Sequence, residues 1–294
     1  MDAISAVKVV LSFIVLLAAS RSDWKTRTAS DWYWVILGLV GLGFLAFQIY
    51  SDDADPLYYL FLIPVAVVFF DVFWDRKGIF ENGINPLPLL LYAASAAALI
   101  LLAATFWQEV YFWQLISILF MFLLIIIFYQ LNLIKGGADA KALLCLSIVF
   151  PSYPDLSPYV LIGVPIDIAQ YLFPFSLLVL FNAALLSLAV PVMLFFYNLA
   201  KGDRKVPVMF FGYRIPVDEA RKKFVWPLEY VEEGRRVFRI LPRSLDSYDK
   251  EYDELKALGA EEIWVTPKIP FLIPITVSLL FSALVGNIIF FFAR

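Results

Sequence analysis

The sequence predicts an all-α polytopic membrane protein of about eight transmembrane helices, with a small α+β cytoplasmic domain before the last helix. Three observations predict it. Of the 294 residues, 62% are hydrophobic and 17% charged, an apolar share above the roughly 45–50% of soluble domains. Apolar runs recur at lengths that cross about 30 Å of hydrocarbon at about 1.5 Å per residue. Lysine and arginine collect in alternate connections between those runs.

The runs fall near 3–20, 33–50, 57–74, 87–107, 111–134, 141–163, 173–199 and 269–292. The first ends in Ala18-Ala-Ser20, which has the look of a signal-peptide cleavage site. No basic segment precedes its apolar core, however, and a basic loop follows, the pattern of a retained helix. The sixth run carries Pro151 and Pro154 after about ten apolar residues, so its outer half is expected to be irregular. Seven runs therefore make a membrane domain over residues 1–200, and the eighth lies in residues 269–294.

Residues 201–268 separate the last two runs and hold fourteen Lys/Arg against thirteen Asp/Glu. Alternating apolar residues over 206–211, 225–231 and 236–241, with Glu233-Gly234 as a turn, predict strands. Ser247 to Leu258 predicts a short helix closed by Gly259, and Glu262 to Thr266 a further strand.

Orientation follows from the basic residues, which remain cytoplasmic. Arg21, Lys25, Arg27, Arg76, Lys77, Lys135 and Lys141 fall in 21–31, 75–86 and 135–141, the same side as 201–268. The opposite connections hold Asp52, Asp53, Asp55, Glu109, Asp155 and Asp167 and no Lys or Arg. Both termini are expected outside, with Lys8 and Arg294 as the dissenting charges.

The chain has no histidine and one cysteine, Cys145. That excludes an internal disulfide, four-cysteine zinc sites and Ser-His or Cys-His relays, and leaves carboxylates as the chief catalytic candidates. No cofactor is expected. Two cytoplasmic connections place an aspartate beside a helix end: Ser22-Asp-Trp-Lys-Thr-Arg-Thr-Ala-Ser-Asp31 and Lys135-Gly-Gly-Ala-Asp-Ala-Lys141. Topology puts both on one membrane face, so Asp23 and Asp139 can meet. Two carboxylates sharing a proton can hydrolyse a peptide bond without metal or histidine. Gly136 and Gly137 would let a substrate backbone approach, and the helix dipole would favour the charged form of Asp139. Aspartate is equally a preferred N-cap, so Asp139, Asp23 and Asp31 each keep a purely structural reading. Asp71, inside the third run, is the rival acid, since an intramembrane carboxylate is a functional hypothesis by default.

The pairing of Asp23-Trp-Lys-Thr-Arg27 with Gly136-Gly-Ala-Asp139-Ala-Lys141 resembles the archaeal prepilin peptidases, most closely the preflagellin peptidases, which are GxGD-type aspartic proteases. The stretch Glu261-Glu-Ile-Trp-Val-Thr-Pro-Lys-Ile-Pro-Phe-Leu-Ile-Pro274 is similar to that family's approach to its last helix. The resemblance implies cleavage of a short basic leader from archaellin or type IV pilin-like precursors at the cytoplasmic face. It makes Asp23 and Asp139 the catalytic pair and Gly136 the first motif glycine, with Ala138 in the place of the second. Gly137, Lys141, Lys25 and Arg27 become motif or substrate-approach residues. Residues 51–107 look additional to a six-helix arrangement, and two extra spans preserve the shared side of the aspartates. Cys145 alone cannot supply the zinc loop of bacterial relatives, so proteolysis without N-methylation is expected. The expected partners are precursor substrates and the bilayer, with no nucleic acid. An ion-coupled transporter and a non-catalytic assembly subunit are the alternatives.

Overall fold

The computed structural model describes residues 2–74, 78–81, 83–134, 136–162, 173–240, 242–243, 245 and 247–286. Its helices are α1 (Ala3–Thr26), α2 (Asp31–Ser51), α3 (Leu62–Asp71, entered by a 3-10 turn at Pro56–Phe61), α4 (Pro86–Phe106), α5 (Val110–Gln130), α6 (Gly137–Val149), α7 (Phe175–Ser187), α8 (Ala189–Lys201), α9 (Val217–Ala220), α10 (Asp249–Ala257) and α11 (Leu272–Leu284). The chain divides into two compact units, Met1–Ala184 with Pro270–Arg294, and Leu185–Ile269.

Five helical stretches are long and apolar enough to cross a bilayer: α1, α2, α4, α5 and Phe175–Lys201. Pro56–Asp71 and Leu272–Leu284 are shorter apolar helices. The run expected at 141–163 is helical only through Val149 and irregular over 150–162, because Pro151 and Pro154 cannot continue the backbone ladder. Residues 163–172 and 287–292, the remainder of two expected runs, lie outside the described residues. So do Arg76, Lys77, Lys135, Asp167 and Arg294, five of the charges used to orient the chain.

Helix boundaries follow local chemistry. Asp2 opens α1 by accepting the N–H groups of Ile4 and Ser5, and Ser30 opens α2 by accepting from Trp32, both N-cap bonds. Asp55-Pro56 and Asn85-Pro86 place proline at the first helical position, where its missing N–H costs nothing.

In the first unit α6 is the central element, packing against α1, α2, α5 and α11. Residues 142–149 are all buried, as expected of a helix that is apolar all round. Gly41 of α2 lets Ile148 and Val149 approach, and Gly38 admits the ring of Phe69 so closely that a Cβ there would overlap it. Small residues at helix crossings are how membrane helices gain packing. Hydroxyl and amide groups add ties: Ser20 to Thr276 at 2.7 Å, Ser147 to Ser176 at 3.0 Å, and Asn182 donating to Ser282 at 2.8 Å. Such interhelical bonds average about 0.6 kcal/mol each, so they fix register more than they stabilise.

The second unit carries a three-stranded antiparallel sheet in the order β1 (Tyr213–Pro216), β5 (Glu262–Pro267), β2 (Val225–Pro227) and a hairpin of β3 (Glu229–Glu232) with β4 (Arg235–Phe238). Glu233 and Gly234, at φ 50° and 72°, make the two-residue turn that hairpin twist favours. Tyr252 and Leu255 of α10 close the core over Tyr230, Ile263 and Val265. The strand expected over 206–211 is absent. Val208–Phe210 forms a 3-10 turn, for Pro207 lacks a ladder donor, and the Asn198 amide donates to the carbonyls of Met209 and Gly212, holding the segment curled. The strand β1 takes its place, beginning seven residues later than the alternating pattern implied.

Candidate active site

The last turn of α1 holds Asp23. Arg27 ends that helix in the left-handed region at φ 59°, its N–H donating to the Asp23 carbonyl at 2.9 Å. The Asp23 side chain is half-buried. Burial raises its pKa, and the Arg27 guanidinium pulls it back down. Asp23 stands three residues beyond the apolar run 3–20, so it belongs to the helix end and not to the apolar stretch.

Asp139 is the third residue of α6, behind Gly136 at the N-cap, and likewise precedes the apolar run of its helix. It is 7% exposed. Burial pushes its pKa up to about 7, and the charge of Asp23 pushes in the same direction. The two carboxylates are therefore close enough to act on each other. The α6 dipole favours the charged form of Asp139 but does not decide its titration. Loss of hydration outweighs the partial positive charge of a helix N-terminus, which is worth about 0.3–1 kcal/mol at exposed sites. Among the described residues no hydrogen bond to the Asp139 oxygens offsets that loss.

The two motif glycines do different things. A Cβ on Gly136 would overlap the Asp139 carboxylate, whereas one on Gly137 would meet only the Tyr129 hydroxyl at 3.8 Å, an ordinary contact. Gly136 is thus the seat over which the Asp139 side chain folds back. Ala138 is half-buried beside it and packs on the apolar core.

The basic residues of the two segments divide likewise. Lys25 is exposed on the last turn of α1. Arg27 lies over the Trp24 ring, 5.6 Å from its centroid, and acts on Asp23. Lys141 donates to Asp31 at the start of α2, 2.5 Å away, and lies 4.8 Å from the centroid of Phe73. The rival acid Asp71 accepts from the Tyr92 hydroxyl at 2.5 Å. Asp31 entered the sequence reading as a cap, and Phe73 and Tyr129 not at all. Opposite charges on Asp31 and Lys141 were the available signal, 110 residues apart.

A family described as Archaeal Peptidase A24 C-terminus Type II matches residues 204–288. A preflagellin peptidase of Methanocaldococcus jannaschii is 28% identical over 291 residues, covering 95% of each chain. The chain is similar to the preflagellin peptidases, to this one over nearly its whole length. A preflagellin peptidase of Methanococcus voltae is 32% identical over 159 residues, 52% of this chain and 64% of that protein. One of Methanococcus maripaludis is 25% identical over 154 residues, again 64% of its length. The chain thus spans less than two thirds of these two preflagellin peptidases, and nearly all of the first. Residues 51–107, expected to be additional, lie within the length matched to the Methanocaldococcus jannaschii protein.

Proposed function

We propose that the chain is a membrane-embedded aspartic endopeptidase that removes the short basic leader from archaellin or type IV pilin-like precursors. The observation that carries this reading is the placement of two carboxyl groups at helix ends in one unit, close enough for the charge of Asp23 to act on Asp139, with Asp139 buried and its pKa raised to about 7 and that of Asp23 raised by burial but partly offset by Arg27. Asp23 acts as the base. It takes a proton from water as the oxygen attacks the scissile carbonyl, while Asp139 donates its proton toward the carbonyl oxygen. As the tetrahedral intermediate collapses, the C–N bond breaks, the leaving amine receives the proton that Asp23 took, and one hydroxyl of the intermediate returns a proton to Asp139 as the carbonyl re-forms. Neither metal nor histidine enters these steps.

The remainder of the proposal concerns place. All eight apolar runs cross the bilayer in this reading, the aspartates lie at its cytoplasmic face with residues 201–268, and both termini lie outside, as the Lys/Arg asymmetry supports. The protein then resides in the cell membrane, acts without N-methyltransferase activity and binds no nucleic acid. Lys25 shares the sign of a basic leader, so it serves the anionic membrane boundary and does not hold substrate. The engagement of Asp71, the rival intramembrane acid, by the Tyr92 hydroxyl supports proteolysis over ion-coupled transport.

The test is cleavage of an archaellin or pilin precursor by membranes carrying the chain, compared with Asp23→Asn and Asp139→Asn. Each variant is expected to lose at least about 1,000-fold in rate. Full activity in either, with folding intact, overturns the dyad.

A further inference from the structure

Two carboxylates on separate helices act together only if the helix ends keep their spacing. The first turn of α6 has little side-chain support on one flank. A cavity of about 350 Å³ lies there, lined by Val72, Ile125, Tyr129, Gly137 and Leu144 among others. At 3.6 residues per turn, positions 137, 140, 141 and 144 share this face and Asp139 points away from it. The recess is walled by residues of α5 and α6 and by Val72, and Lys141 is part of that wall.

Lys141 crosses this flank. Its ammonium meets the Asp31 carboxylate at 2.5 Å on one side and the Phe73 ring at 4.8 Å on the other. Asp31 begins α2, immediately after the loop that returns from Asp23. That loop is itself tied down, since Ser22 and Thr26 both donate to the Thr28 carbonyl, at 3.0 and 3.1 Å. The bonds therefore run from the Asp23 turn through the loop to Asp31, then through Lys141 to the Asp139 turn. Phe73 follows α3, so residues from the segment 51–107 complete the arrangement.

We propose that Lys141, Asp31 and Phe73 form a positioning clamp that sets the Asp139 turn against the Asp23 turn, with Lys141 making no contact with substrate. The inference rests on the Asp23–Asp139 reading above. It assigns the segment 51–107 a part in the active site, through Phe73. An ion pair with Asp31 58% and Lys141 21% exposed contributes little to fold stability. Its loss is felt as misplacement of Asp139, which costs rate and not binding.

The experiment measures kcat and KM for precursor cleavage in membranes carrying Lys141→Met, Lys141→Arg, Phe73→Leu and Phe73→Trp beside the parent chain and Asp139→Asn. Lys141→Met is expected to lower kcat about 10- to 100-fold with KM within about twofold. Lys141→Arg, which keeps both the ion pair and the ring contact, should recover most of that loss. Phe73→Leu should lower kcat by about threefold to tenfold, and Phe73→Trp should not. Unchanged kcat in both Lys141→Met and Phe73→Leu, or a rise in KM alone, overturns the clamp. Should Lys141→Met fail to fold, the comparison of Phe73→Leu with Phe73→Trp decides it. If Asp139→Asn remains active, the dyad reading has failed instead, which separates the two outcomes.

Discussion

Asp139 couples pH both to folding and to the proposed chemistry. Its carboxyl ordinarily titrates at 3.8 and is raised to about 7, so the folded chain holds a proton there that the unfolded chain has released. Folding stability accordingly falls as pH rises from about 4 to about 7 and is level above that. Asp139→Asn removes the buried charge, so it should raise the unfolding temperature by roughly 5 °C at pH 8 and leave it unchanged at pH 4. Cleavage by the parent chain should decline above about pH 7 as Asp139 loses its proton, and decline again in acid as Asp23 gains one. The glycines supply a second residue-scale test. Gly136→Ala should displace the Asp139 carboxylate and lower kcat about 100-fold, with Gly137→Ala within about twofold, measured with thermal unfolding to show that both fold. The sequence assigned those glycines one shared role. Backbone approach and side-chain seating look alike in a string of letters, and only the path of the Asp139 side chain tells them apart.

At the scale of elements, hydropathy located the long helices to within a few residues, because burial in lipid and helix length are properties of a single run. Asp2, Ser30 and the prolines at 56 and 86 mark their ends just as readily. Where a segment's shape depends on a remote partner, local pattern fails. Val206–Phe211 alternates like a strand, but Asn198 and Pro207 hold it curled. Similarly Asp31 reads as a cap until Lys141 arrives from elsewhere in the chain. The crossing of α2 and α3 gives a prediction at this scale. Gly38→Val would drive a side chain into the buried Phe69 ring and should cost about 1–3 kcal/mol of stability, read by thermal unfolding in detergent. It lies in the body of the bundle, so kcat at low temperature should be preserved.

For the whole molecule, the count of crossings and the side on which the aspartates lie are the testable quantities. Cys145 is fully buried, its thiol directed to the Trp34 carbonyl at 3.3 Å, so the parent chain should be silent to maleimides in intact membranes. Single cysteines at the exposed positions Lys25 and Leu131 should then label only from the cytoplasmic side, and cysteines at Asp53 and Gln108 only from outside. Labelling of Lys25→Cys and Leu131→Cys from opposite sides would remove the shared face on which the dyad depends.

The placement of α6 has a consequence for how the protein meets its membrane. At 13 residues the helix is about 20 Å long, short of a layer about 30 Å thick, so the sixth crossing is completed by the chain beyond Val149, and residues 142–149 are buried throughout. Lipid therefore grips α1, α2, α4 and α5, whose exposed faces take up any mismatch by tilting, while the helix that bears Asp139 rides inside a sleeve. A thinner or thicker bilayer should change how tightly the sleeve is held and leave the chemistry alone. Cleavage rates in vesicles of graded acyl-chain length should stay within about twofold, a tolerance to lipid that a catalytic helix in direct contact with the bilayer would not have.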